Sequence, residues 1–350
     1  MKRLAMTGKN RVEVLEYSDN QLASHEVLVR TEIASGKHGT GLALLESTNF
    51  QGVTFNQAKR SFLKSDDGAA HLASPDQPSR LGTAGVGTVV EVDKEVTRWR
   101  VGDRVFGLMD IRETNILHED KLWELGELDP LAALTIEPAY VAFHAVREAN
   151  LRFGDKVAII GLGAIGLIAV KMVRGAGAEQ VIAVDPLRKR RDLASVFGAD
   201  SVLDPAAVPD IADYIHELTG GTGVDVAIEC AGRYDALDIA IRCTRMSGLV
   251  SAVGFYQGEA SQMWLGREWH HNRLTMVVPH GCGWGHPPRD FPRWDEPRAY
   301  EAIISLMRQG RLEVASIIEP VITIEEGPSL YEQLRNDPSQ TIKYAVTFER

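Results

Sequence analysis

Ten residues near the middle of the chain restrict its fold more than any other feature: Val157-Ala158-Ile159-Ile160-Gly161-Leu162-Gly163-Ala164-Ile165-Gly166. Four consecutive apolar residues read as a buried strand, and the GxGxxG that follows turns that strand directly into a helix. In this setting Gly161 permits the tight turn, Gly163 lets backbone approach a pyrophosphate, and Gly166 allows the helix to lie close to the strand. Leu162, Ala164 and Ile165 complete the cradle. The helix N-terminus behind it offers orphan N–H donors and the positive end of a dipole to phosphate oxygens.

The flanking sequence repeats the same rhythm. Apolar runs at Val157–Ile160, Val181–Val184, Val226–Glu229, Leu249–Val253 and Leu274–Val278 alternate with segments of helical spacing, Ala164–Ala176 and Leu187–Phe197 among them. Gly177 and Gly198 stand where those two helices should end. The pattern predicts βαβ units forming a doubly wound parallel sheet of roughly six strands.

The second of these strands ends at Asp185, nineteen positions beyond Gly166. A carboxylate there is placed to accept hydrogen bonds from the adenosine ribose hydroxyls and repels a 2′-phosphate, so the cofactor expected is NAD, not NADP. Asp185 also precedes Pro186 and a helical run, and capping that helix is the competing role. Arg190 is included in the expected cofactor site. It and Arg188 are also the residues that would hold a 2′-phosphate if NADP were used.

Upstream, β-rich runs such as Glu26–Glu32 and Gly87–Val92 are separated by glycine and polar turns, which predicts a mainly β unit. The tail carries a helical pattern over Pro297–Arg308, a β-rich stretch Ile317–Ile324 and a final strand-like Thr341–Phe348. The simplest division is therefore a unit of residues 1–148 and 286–350 interrupted by a Rossmann unit of residues 149–285. With 350 residues, 44% hydrophobic and 25% charged, the chain can fill two cores.

A formal charge of -10 without a dense Lys/Arg run argues against a nucleic-acid or anionic-membrane partner. The basic run Arg188-Lys189-Arg190-Arg191 reads as the solvated start of a helix. No apolar stretch approaches the length of a membrane span, and Met1–Ala5 leads into polar residues, so a cytoplasmic protein is expected. Cys230, Cys243 and Cys282 are odd in number and far apart, which fits a reducing compartment and excludes a four-cysteine zinc site within one chain.

Gly82-Thr83-Ala84-Gly85-Val86-Gly87-Thr88-Val89-Val90-Glu91-Val92, Val101-Gly102-Asp103-Arg104-Val105 and Glu137-Pro138-Ala139-Tyr140-Val141-Ala142-Phe143-His144-Ala145-Val146, taken with the glycine turn, resemble the medium-chain dehydrogenase/reductase superfamily in its alcohol and polyol dehydrogenase branch. The resemblance spans nearly the entire chain. It implies an α/β fold in which the Rossmann unit accompanies a mainly β, GroES-like catalytic domain. It also implies NAD-linked chemistry on a small-molecule alcohol or carbonyl, and a homodimer or homotetramer. Gly161-Leu162-Gly163 resembles the alcohol dehydrogenase form of the phosphate turn, not the Ala-rich form of relatives that reduce quinones or enoyl groups.

The chain departs from zinc-dependent members at the positions that matter for metal. Where those members place their ligands, this sequence has His38, Thr83, Ala84 and Glu137. A catalytic zinc normally takes three protein ligands, and only His38 and Glu137 qualify, so a zinc-independent enzyme is expected. A side chain must then move the alcohol proton while hydride passes to or from the nicotinamide. His38, in Ser35-Gly36-Lys37-His38-Gly39-Thr40, aligns with the usual catalytic cysteine and is the first candidate for acid/base catalyst. Lys37 is either the acid instead of His38, an electrostatic clamp or solvated charge, and Glu137 either orients His38, lines the substrate pocket or caps a helix start.

Other features read as structure. His144 lies in a helical apolar stretch, as a hydrogen-bonded core histidine would. Trp264–Trp294 holds four of the six tryptophans together with His270, His271, His280, Cys282 and His286; His280-x-Cys282-x-x-x-His286 has ligand types without a standard spacing. Tryptophans beside polar groups can stack on a sugar or cyclitol, and equally can anchor a subunit contact. Two rival functions remain: reduction of an activated C=C bond, and a catalytically silent NAD(H)-binding protein.

Overall fold

The computed structural model describes residues 1–37, 52–64, 73–261, 263–279, 292–337 and 339–348. The chain forms two compact units, one of residues 1–134 and 315–350, the other of residues 135–314.

The second unit is built on a six-stranded parallel sheet. Its strands run in the order Ser201–Leu203, Gln180–Val184, Lys156–Ile160, Val224–Glu229, Thr244–Ala252 and Thr275–Val277. This is the doubly wound order, which reverses direction at the central strand. Val157, Ala158, Ile159, Val181, Ile182 and Ala183 are fully buried, because a parallel strand covered on both faces has no solvent side to alternate with. The helix Arg188–Phe197 ends on Gly198, whose φ of 108° is left-handed and so favours glycine.

The boundaries of this unit differ from those read in the sequence. Helix Ile136–Glu148 and helix Glu296–Arg308 both belong to it, so its limits fall at 135 and 314 instead of 149 and 285. The reason is side-chain packing: Tyr140 and Tyr300 stack with centroids 4.6 Å apart, and the Ser251 hydroxyl donates to the Ala145 carbonyl at 3.2 Å. Such contacts join segments distant in sequence and leave no mark on local periodicity.

In the first unit, the strand Glu26–Ser35 lies in a mixed sheet with neighbours Ala84–Val92, Thr114–His118 and Lys343–Thr347. Val27 and Val29 are buried while Arg30 is exposed, the alternation of a strand with one wet face. Val346 pairs with Ala34, and Ile318–Thr323 adds beyond it, so the C-terminal residues complete a sheet begun by the N-terminal ones. Leu4, Tyr331, Leu334 and Tyr344 fill one core beneath it. Among the described residues no helix is long and apolar enough to cross a membrane.

Candidate active site

The phosphate turn follows from three glycines with three different constraints. Gly161 has φ +89°, and a Cβ there would meet the Ala231 backbone nitrogen at 2.6 Å. A Cβ on Gly166 would lie 1.9 Å from the Gly161 carbonyl oxygen, while one on Gly163 would meet nothing within 4 Å. Two of these glycines are thus required by the protein's own packing, and the third faces open space. Gly163 is the N-cap of helix Ala164–Gly175 and provides no side-chain cap. The first backbone N–H groups of that helix are therefore free of a capping acceptor and available to an anion. The residues present fit a dinucleotide pyrophosphate.

Asp185 is buried at the end of strand Gln180–Val184. Its Oδ2 accepts the Leu162 N–H at 2.8 Å and its Oδ1 accepts the Leu187 N–H at 2.8 Å. It is not the helix cap, since Leu187 occupies that position. Each carboxylate oxygen retains acceptor capacity beyond these bonds. Arg190 Nη1 lies 3.6 Å from Asp185 Oδ2. Arg191 is turned inward, donating to the Asp185 and Pro186 carbonyls at 2.7 Å, and the exposed Arg188 is 3.7 Å from Asp192.

A second buried carboxylate supports this turn and was not read in the sequence. Glu229, at the end of strand Val224–Glu229, accepts the Ala231 N–H at 2.7 Å, the Gly232 N–H at 2.9 Å and the Tyr256 hydroxyl. Burial pushes its pKa up, opposed by those hydrogen bonds. Ala231 is the residue against which Gly161 packs, so Glu229 fixes the wall behind the phosphate turn. The signal in the sequence was a charged residue closing the apolar run Val226-Ala227-Ile228-Glu229.

In the first unit, Lys37 is half-buried just beyond the end of strand Glu26–Ser35. The approach to it is braced from the last strand of the chain. Ser35 Oγ donates to the Tyr344 carbonyl at 2.6 Å, and Lys343 Nζ donates to the Gly36 carbonyl at 3.3 Å. A Cβ on Gly36 would lie 2.3 Å from the Tyr344 hydroxyl, so only glycine passes there. His38 lies outside the described residues, as do His280, Cys282 and His286.

Thr83 and Ala84 are placed beside this segment, Ala84 opposite Ser35 in the sheet and Thr83 donating its N–H to the Ser35 carbonyl at 2.9 Å. Neither carries a side chain that catalytic zinc sites use as a ligand. The residues at these positions do not fit a three-ligand zinc, and among the described residues no group of three His, Cys, Asp or Glu side chains is placed to hold a metal. Glu137 is buried in the first turn of helix Ile136–Glu148, where a carboxylate faces the positive end of the helix dipole. His144, on the same helix, is buried with its ring 4.6 Å from that of Tyr140, edge-on. Trp294 packs against Phe143 at 5.1 Å and Trp264 is largely exposed.

The chain matches two family descriptions, "Alcohol dehydrogenase GroES-like domain" over residues 24–116 and "Zinc-binding dehydrogenase" over residues 164–295. It is 35% identical to the D-guloside 3-dehydrogenase of Escherichia coli (strain K12), across 99% of this chain and 100% of that protein. It is 29% identical to the (R,R)-butanediol dehydrogenase of Bacillus subtilis (strain 168), across 73% of this chain and 77% of that one. The solved structure of galactitol-1-phosphate dehydrogenase from Escherichia coli superposes with a TM-score of 0.79 at 18% identity, covering 99% of this chain and 100% of that one, and so shares the fold. The chain belongs to the alcohol and polyol dehydrogenase branch of the medium-chain dehydrogenase/reductase superfamily and is an enzyme of the alcohol dehydrogenase type.

Proposed function

We propose that this enzyme uses NAD(H) to interconvert a secondary hydroxyl and a ketone on a sugar, glycoside or related polyol, and that side chains instead of zinc handle the proton. The observation that carries the reading is the 35% identity to a D-guloside 3-dehydrogenase along the full length of both chains. A relative so named oxidises a ring hydroxyl of a glycoside.

The preference for NAD rests on Asp185, a buried carboxylate fixed beside the phosphate turn and flanked by Arg190. When bound, the nicotinamide supplies the hydride acceptor or donor. In the oxidising direction a base takes the hydroxyl proton as the carbinol C–H electron pair leaves as hydride, and the same group returns that proton in reduction. We assign the proton to His38, charge stabilisation on the substrate oxygen to Lys37, and orientation of the site to Glu137. Gly161 to Gly166, with Leu162, Ala164 and Ile165, hold the pyrophosphate.

Zinc independence is supported by Thr83 and Ala84 standing where donors are required. The "Zinc-binding dehydrogenase" match, over residues 164–295, does not include positions 38, 83, 84 or 137. A cytoplasmic homodimer or homotetramer acting on a small molecule completes the reading.

The test combines metal analysis of the purified protein with NAD- and NADP-linked assays on methyl glycosides, sorbitol and butanediol, with and without a chelator. NAD-linked oxidation of a glycoside, insensitive to chelator and abolished by His38→Ala, is the expected result. Stoichiometric zinc with chelator-sensitive turnover would overturn the metal-free mechanism. Faster reduction of enones than of ketones would favour C=C reduction, and NADH binding without turnover, unchanged in His38→Ala, a silent cofactor-binding protein.

A further inference from the structure

The β-rich unit carries a polar concavity of about 650 Å³ lined in part by Arg3, Asn20, Gln21, Arg80, Asp110 and Arg112. None of these residues belongs to the phosphate turn or to the acid/base group assigned above.

Arg3 and Arg112 oppose each other across an antiparallel bridge. Side chains so paired share one face, with Cβ atoms about 5 Å apart, and like charges in that arrangement are destabilising. Arg112 is compensated. Its Nη2 donates to Asp19 Oδ1 at 2.6 Å, and its guanidinium lies 3.9 Å from the centroid of the Tyr17 ring. Arg80, at the exposed rim, is 3.6 Å from Asp110 Oδ2. Arg3 has no counterpart of this kind: among the described residues its Nε is buried without a hydrogen-bond partner, as is the Nε of Arg112.

Buried guanidinium N–H groups without acceptors are costly, and Arg3 and Arg112 both line the polar concavity. Burial raises the Asp110 carboxyl, while Arg80, Arg112 and Arg3 all draw it back down, so three guanidinium groups act on one carboxylate. Glu26 also lines the concavity, with one of its oxygens accepting the Ala23 N–H at 2.7 Å. Asn20 and Gln21 are exposed at its edge.

We propose that this concavity binds a small hydroxylated carboxylate, a sugar acid, with the carboxylate on Arg3 and the hydroxyls on the amides of Asn20 and Gln21. A planar fork of N–H donors matches a carboxylate in two parallel hydrogen bonds. Amide groups offer both donor and acceptor to hydroxyls. The ligand carboxylate would give Arg3 the ion-pair partner that Arg80 has in Asp110 and Arg112 has in Asp19.

The experiment is calorimetric titration of the full chain at low ionic strength with D-gluconate, inorganic phosphate and the neutral D-sorbitol, each with the cofactor site saturated by NADH. D-Gluconate should bind saturably and more tightly than phosphate. Arg3→Gln should weaken it by roughly tenfold or more, the loss of a charge-assisted pair, while leaving NADH affinity unchanged. Because it removes a like-charge pair, Arg3→Gln should also leave the thermal midpoint of the free protein equal or higher. Should that variant fail to fold, the rim pair Asn20→Ala with Gln21→Ala reports on the same ligand. Absence of saturable gluconate binding, equal binding by Arg3→Gln, or sorbitol binding as tightly as gluconate would each overturn the proposal. Tighter binding of phosphate than of gluconate would overturn the carboxylate assignment.

Discussion

The Asp185 carboxylate accepts the backbone N–H of Leu162 at 2.8 Å, so the acid expected to face the adenosine ribose is also tied to the turn expected to hold the phosphates. With its other oxygen on the Leu187 N–H, Asp185 links the phosphate turn, the second strand and the helix that follows. A ribose-binding side chain held this way is oriented before cofactor arrives, and its loss should be felt twice.

Replacing Asp185 by Asn keeps one acceptor oxygen and removes the charge. NADH affinity should fall by roughly tenfold, the scale of a charge-assisted hydrogen bond, and the gap between NADH and NADPH should narrow. Fluorescence titration of both cofactors measures this. Unchanged affinity and unchanged discrimination would remove Asp185 from the ribose site.

The glycine turn makes a sharper contrast. Gly166→Ala places a methyl 1.9 Å from the Gly161 carbonyl and should cost about 1–3 kcal/mol of stability. Gly163→Ala has open space around its new methyl, so thermal stability should hold while NADH binding weakens. Thermal melts run beside NADH titrations separate the two variants. A Gly163→Ala protein that binds NADH normally would mean that the pyrophosphate does not approach that backbone.

Glu229→Gln puts an amide where two backbone N–H groups and the Tyr256 hydroxyl now converge on a carboxylate. The side chain is fully buried; Oε1 of the amide can still accept both backbone N–H groups, but the charge that strengthens those bonds is lost and the Tyr256 hydroxyl must turn to accept from the new NH2, which should cost about 1 kcal/mol. Because Ala231 backs Gly161, NADH affinity should drop as well, whereas Tyr256→Phe, which keeps the carboxylate charge on both backbone bonds, should be milder. Chemical denaturation with NADH binding on each variant decides it; a Glu229→Gln protein with full cofactor affinity would confine Glu229 to stability.

The His25 and Glu119 pair gives a pH dependence with a definite sign. Nδ1 of His25 lies 2.8 Å from Glu119 Oε1, and Glu119 also accepts the Thr97 and Arg98 N–H groups at 2.9 Å. The bond to Glu119 raises the pKa of His25 above its ordinary 6.5, so that contribution is complete below 6.5 and is lost as pH rises through the folded value. The backbone bonds from Thr97 and Arg98, then His25, lower Glu119 from 4.5 to about 2, so its contribution is complete above 4.5 and is lost as pH falls toward 2. The destabilisation caused by Glu119→Gln should therefore be largest between pH 4.5 and 6.5 and smaller at pH 8, where the two backbone bonds persist. Melting temperatures of both proteins across that range test it, and a difference independent of pH would show that His25 takes no part.

The Rossmann unit was legible because local signals agreed with one another. Apolar runs of strand length, helices between them, and Gly161, Gly163, Gly166 and Asp185 at fixed spacing all specify one arrangement, since each is set by neighbours close along the chain. The substitutions at Thr83 and Ala84, which bear on metal, were likewise visible as residue types. The unit boundaries at 135 and 314 were not, because the stacking of Tyr140 on Tyr300 joins residues far apart in sequence. Glu229 read as the polar end of a strand, and only the turn that brings Ala231 against Gly161 makes it part of the wall behind the glycine turn. The bracing of Gly36 by Lys343 and Tyr344 depends on strand Lys343–Thr347 pairing beside strand Glu26–Ser35, and the opposition of Arg3 to Arg112 on an isolated bridge. Sequence alone determined the strand, glycine turn and helix of the Rossmann unit, because that turn is local. Tertiary structure decided which distant side chains hold it in place and which charges are left to face each other, because those depend on packing that only the folded chain creates.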